Sequence, residues 1–227
     1  MKTRLPPFES LDQMAEATAG ALSQVASGSA YDLFWDKEFR RLANLDVLSQ
    51  VEQDRIFNEL VVAFLVLIML LLEAPDLRIA QELRSYLARL EERISKAYLE
   101  YLKTLGVEPD HLRDWETLIS MRYDEYARDR HAVRDAAMRI ELAENKLDLE
   151  GLSKIQLLVP VQAVSIGCHQ HICRGNTDKR DELFKQILNC LTKFYVELRI
   201  GLERGKITPL TRTQVKLKQM FHRFKRK

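Results

Sequence analysis

Glycine and proline are scarce in this chain, eight and six among 227 residues. A fold of short strands and tight turns uses more of both, so long helices are expected instead. Cysteine is rarer still: three thiols cannot all pair within one chain. Free cysteine in a reducing cytoplasm is the expectation. The opening MKTRLPPFES holds no apolar stretch, so no cleavable signal is expected there. No glycine-rich phosphate loop, no Gly-x-Ser-x-Gly elbow and no His-Glu-x-x-His pair occurs. Their absence removes the sequence-readable forms of nucleotide, hydrolase and zinc-protease chemistry. Among five histidines only His111 has a glutamate three residues before it, Glu108, and Pro109 stands between them. The paired Glu-x-x-His ligands of a di-iron bundle are therefore missing. A catalytic role is disfavoured, though a site assembled from distant residues leaves no trace of this kind.

Acid is absent from the end of the chain. From Arg204 onward there are nine lysines and arginines and no aspartate or glutamate. Of 35 basic residues, 26 remain for the first 203 positions, against 33 acids, a balance of −7. An acidic body joined to a basic tail is a statement about association.

What is present in force is Leu60–Leu72, thirteen apolar residues in a row between Glu59 and Glu73. A helix that is apolar on every side must be enclosed on every side. The run covers roughly 20 Å, short of the roughly 30 Å of a bilayer core. These facts predict an all-α, soluble helical bundle of seven or eight helices around one fully apolar central helix, with no transmembrane span. Ser49, with Glu52 three residues on, marks the start of that helix and Pro75 its end.

Around it the spacing predicts a first helix from Leu11, stopped by Ser27-Gly28-Ser29, and a second from about Ala30 to Ala43. A helix from Asp76 to about Leu105 carries Ala80, Leu83, Leu87, Leu90, Ile94, Ala97 and Tyr101 in heptad steps. That seam packs either within the fold, on the central helix, or across a homodimer; packing within the fold is the simpler choice. Pro109-Asp110 open the longest helix, to about Lys146, with a stripe from Leu112 to Ile140. Leu149–Val164 is read as a helix kinked or broken at Pro160. Leu183, Ile187, Leu191, Phe194, Leu198 and Leu202 define a further helix ending at Gly205. The chain thus divides into a bundle, 1–205, and a basic amphipathic helix within 206–227.

Three constellations stand out. Cys168, His169, His171 and Cys173 are four metal-ligand types within six residues. On a helix they fall on two faces, so only an unwound segment would offer them to one zinc or other transition metal, and the second ligand pair of a zinc motif is missing. No cofactor is expected. Tyr123, Tyr126 and Arg130 lie along the stripe of the longest helix and suggest a small-ligand pocket. A buried Arg130 would need an acid, for which Glu38 and Glu59 are available, unless it reaches the surface. The basic tail is the strongest feature. Lys216, Lys218, Arg223, Lys225 and Arg226 surround a side bearing Leu217, Met220, Phe221 and Phe224. Such helices dock on acidic proteins or anionic lipid surfaces; the acidic body disfavours nucleic acid. The function expected is that of a non-catalytic interaction protein, cytoplasmic or peripheral at a membrane. The alternative is a metal- or thiol-dependent enzyme at Cys168–Cys173, or a ligand-binding bundle.

Overall fold

The computed structural model describes residues 10–143 and 149–203. Among them are seven α-helices and no strand: α1 (Leu11–Phe34), α2 (Lys37–Leu42), α3 (Gln50–Leu72), α4 (Arg84–Thr104), α5 (Pro109–Ala143), α6 (Leu149–Ile172) and α7 (Asp181–Glu203). The axis is α3. The Ser49 hydroxyl accepts the Glu52 amide at its start, and Glu73 closes it. Every residue from Leu60 to Leu72 is buried; the most exposed is Met69 at 8%. α1, α4, α5, α6 and α7 all pack against α3, so an apolar surface on all sides is covered on all sides. Among the described residues α3 is also the one helix long and apolar enough to cross a membrane.

The first helix runs past its expected stop. The Ser23 and Ser27 hydroxyls donate to the carbonyls four residues back, Ala19 at 2.9 Å and Ser23 at 3.0 Å. The serines are thereby absorbed into the helix instead of ending it. Their small size serves packing: Ala15, Ala19, Ser23, Ala26 and Ala30 are all completely buried. Along this face α4 comes close enough for Ser23 Oγ to lie 3.1 Å from the main-chain oxygen of Ile94. The chain turns instead at Trp35–Asp36, where the Asp36 carboxylate accepts the Phe39 amide and starts the six-residue α2.

One further expectation, the helix start at Asp76, is corrected, and two arginines explain it. The α-helix expected from Asp76 begins only at Arg84, after a single 3-10 turn at Gln81–Leu83. Arg84 donates to the carbonyls of Ala74, Pro75 and Leu77 at 3.2, 3.1 and 2.7 Å, and Arg199 donates to the Asp76 carbonyl and carboxylate. Side chains thus satisfy main-chain oxygens that a helical ladder would otherwise take. On α7 the buried line is Leu183, Ile187, Leu191, Tyr195 and Arg199, a steady four-residue step that ends on a charge.

The heptad seam is used inside the chain. Leu87, Leu90 and Ile94 are buried, and α4 packs chiefly on α1, with α3 and α5 beside it. Ala80 and Leu83 precede α4 and are exposed. α5 is 35 residues long, and near its far end Ile140 is 60% exposed. α6 continues through Pro160 without a break. Val159 and Val161 are buried on either side of it, and packing holds the helix where propensity alone would not.

Candidate functional site

Near the C-terminal end of α6, three helices bring their charges together. Arg55 and Glu59 are one turn apart on α3, Arg122 and Glu125 one turn apart on α5, and His171 lies in the last turn of α6. Arg122 grips Glu59 side-on, with Nε donating to Oε2 at 2.9 Å and Nη2 to Oε1 at 2.7 Å. Its Nη1 donates to Glu125 Oε2 at 3.2 Å. Both Glu125 oxygens face His171 Nε2, at 2.8 and 2.9 Å. Arg55 caps α6, donating from Nη1 to the His171 carbonyl at 2.8 Å and from Nη2 to the Ile172 carbonyl at 3.1 Å, two of the oxygens a helix end leaves unpaired.

The Glu59–Arg122 pair is almost wholly out of water, with 6% and 13% of the side chains exposed. Glu59 beside it raises the Arg122 pKa further above its ordinary value. Deleting one partner strands a buried charge, which costs about 3–5 kcal/mol, whereas replacing both by apolar groups is often neutral. Arg122→Met is therefore expected to lose most of that amount by urea denaturation. Glu59→Leu/Arg122→Met is expected to recover most of it; a double variant as unstable as the sum of the singles would show that the pair is not coupled.

The cysteine–histidine cluster is helical to Ile172 and its members diverge. Cys168 is fully buried, and burial pushes its thiol pKa far up. His169 lies against Phe184 of α7, ring centres 5.6 Å apart; burial lowers its pKa. His171 faces Glu125 on α5. Cys173 is half-buried with its pKa also raised by burial, and burial pushes Cys190 up to about 11. Thiols held protonated in this way are poor nucleophiles and poor ligands. Among the described residues no three histidine, cysteine, aspartate or glutamate side chains converge on a metal-sized point.

Of the ligand-pocket candidates, Tyr123 and Arg130 share a partner and Tyr126 lies apart from it. Tyr123 and Arg130 both turn to Glu73, the first by a hydrogen bond and the second at 3.6 Å. Arg130 thus finds an acid at the rim, Glu73 in place of Glu38 or Glu59. Tyr126 is completely buried, its ring against Gly167 of α6. Lys216, Lys218, Phe221, Arg223, Phe224, Lys225 and Arg226 lie outside the described residues.

The residues missed from sequence are Arg55, Arg122 and Glu125. The signal for Arg122 was there: it stands three after Ile119 and four before Tyr126, the two buried residues of α5, so it shares their face. Compared with known protein families, curated proteins and solved structures, the chain matches none of them.

Proposed function

We propose that this chain is a non-catalytic helical-bundle interaction protein whose last 22 residues dock, as a basic amphipathic helix, on an anionic membrane surface. The observation that carries the reading is the charge asymmetry: nine cations and no acid from Arg204 onward, after a body of −7. Each lysine or arginine near an anionic leaflet contributes about 1 kcal/mol. Phe221 and Phe224, with Leu217 and Met220, supply the apolar side that a bilayer takes up. The segment follows α7, whose final turns are held to residue Asp76 by Arg199 at 2.8 Å, which gives it a fixed root. The acidic body opposes phosphate backbones and disfavours nucleic acid. The place of action implied is the cytoplasmic face of a membrane.

Co-sedimentation tests it, with phosphatidylserine/phosphatidylcholine vesicles against phosphatidylcholine alone. The comparison variant carries Lys216→Gln, Lys218→Gln, Arg223→Gln, Lys225→Gln and Arg226→Gln. Binding is expected only to the anionic vesicles, falling with salt and lost in the variant. Equal pelleting by the variant would overturn the reading. Binding to polyglutamate but not to vesicles would make the docking surface an acidic protein instead.

A further inference from the structure

A recess lies beside the ionic cluster and is made by two loops. One wall is the segment 43–48 with the first turns of α3; the other is the end of α6 with the turn leading to α7. It encloses about 460 Å³, within the usual range for small-molecule sites. Its floor is apolar: Ile56, Ile172 and Leu183 are buried and Leu48 is partly so. Its polar lining includes Arg55, Arg174 and Arg180, with Asn44 and Asn176. Against these three cations stand Glu52 and Asp178, a local excess of positive charge in a body that is negative overall.

The walls are held in a costly backbone conformation. Among the described residues the non-glycine residues with left-handed φ are Asn44 at 55°, Arg174 at 51° and Lys179 at 59°. The first two line the recess, and Lys179 sits between Asp178 and Arg180, which also line it. Left-handed backbone costs roughly 1–2 kcal/mol at residues such as Arg174 and Lys179, while asparagine tolerates it, and such strain gathers where a binding surface is preformed. Arg180 ties the two walls together: its Nη1 donates to the Leu42 carbonyl at 2.8 Å, and its guanidinium faces the Asn44 amide. The recess already handles a carboxylate, since Glu52 bonds both Arg55 and Arg174.

We propose that this recess is a binding site for a small organic oxyanion, a carboxylate or phosphate monoester on an apolar body. The oxyanion sits on Arg174 and Arg180, and the apolar body on Val47 and Leu48, above the floor of Ile56 and Leu183. A planar guanidinium fork matches either anion. This site does not depend on the basic tail.

The test is calorimetric titration of the full chain with octyl phosphate and octanoate, both below their micellar concentrations, and with inorganic phosphate. One-to-one binding of octyl phosphate or octanoate is expected, and which of the two binds tighter identifies the head group. Arg174→Met is expected to weaken it by about tenfold or more, the worth of one charge-assisted contact. Arg180→Met should do the same; because Arg174 is two-thirds exposed, its variant keeps the test independent of folding. Glu52→Gln should tighten binding by releasing two guanidiniums. The five-residue tail variant should bind as the wild type does, which separates this site from membrane docking. No saturable binding of either amphiphile, inorganic phosphate binding as tightly as both, or unchanged affinity in Arg174→Met would overturn the proposal.

Discussion

Leu67→Asp should leave a chain with no cooperative unfolding transition. Leu67 lies in the middle of α3 and is 1% exposed, inside a run where Val61–Ile68 are buried to the same degree. The substitution removes buried apolar contacts worth about 2–5 kcal/mol. It also places a carboxylate among side chains that offer it no partner, at a further cost of several kcal/mol. The whole stability of a domain is about 5–15 kcal/mol, so the sum consumes most or all of it. Val47→Asp is the matched control. Val47 is 84% exposed, and the same change there should shift stability by no more than about 0.5 kcal/mol. The check is thermal unfolding followed by far-ultraviolet circular dichroism. A sharp transition in Leu67→Asp near that of the wild type would contradict the enclosure of α3.

The second large effect concerns a single hydrogen atom. A β-carbon built on Gly167 would stand 2.7 Å from Tyr126 Cδ1 and closer still to Cε1, far inside van der Waals contact. Tyr126 is completely buried, so its ring has nowhere to swing, and α5 and α6 must separate instead. Gly167→Ala is expected to lose about 3 kcal/mol, the upper end of the range for an overfilled core. The cause can be isolated. Tyr126→Leu removes the ring, so Gly167→Ala should cost much less in that background, and the double-mutant cycle should show strong coupling. Tyr126→Phe removes only the hydroxyl, which has no partner among the described residues, and should give no relief. Equal rescue by Phe and Leu would mean that the ring is not the obstacle.

Much of this fold was legible because its dominant feature is a matter of composition. Thirteen consecutive apolar residues call for enclosure on every side, and Ser49, Glu52 and Pro75 bracket them with local chemistry that needs no knowledge of neighbours. What escaped were contacts that depend on who the neighbour is. Ser27-Gly28-Ser29 reads as a stop when only the chain is seen. It becomes a continuation once α4 lies against the small face of α1. Asp76 reads as a helix start until Arg84 and Arg199 bind the carbonyls around it. Arg199 itself completes the Leu183–Tyr195 line, but an arginine on a buried line is discounted unless its acid, Asp76, is known to be near; the two are 123 positions apart. The candidate site shows the same division. The cysteines and histidines of 168–173 drew attention because they are adjacent in sequence, and the helix then points them to different neighbours. Arg55, Glu59, Arg122, Glu125 and His171 come from three distant segments, and only tertiary packing assembles them.

The claim on which the rest depends is that α3 is an interior helix, enclosed by its own chain. Native-state hydrogen exchange of the full chain, in aqueous buffer without detergent, tests it most directly. If α3 is so enclosed, amides from Leu60 to Leu72 exchange last, through global unfolding alone, and with one common free energy. Exchange of that stretch ahead of the α4 and α7 amides, or protection that arises only when detergent or lipid is added, would contradict it.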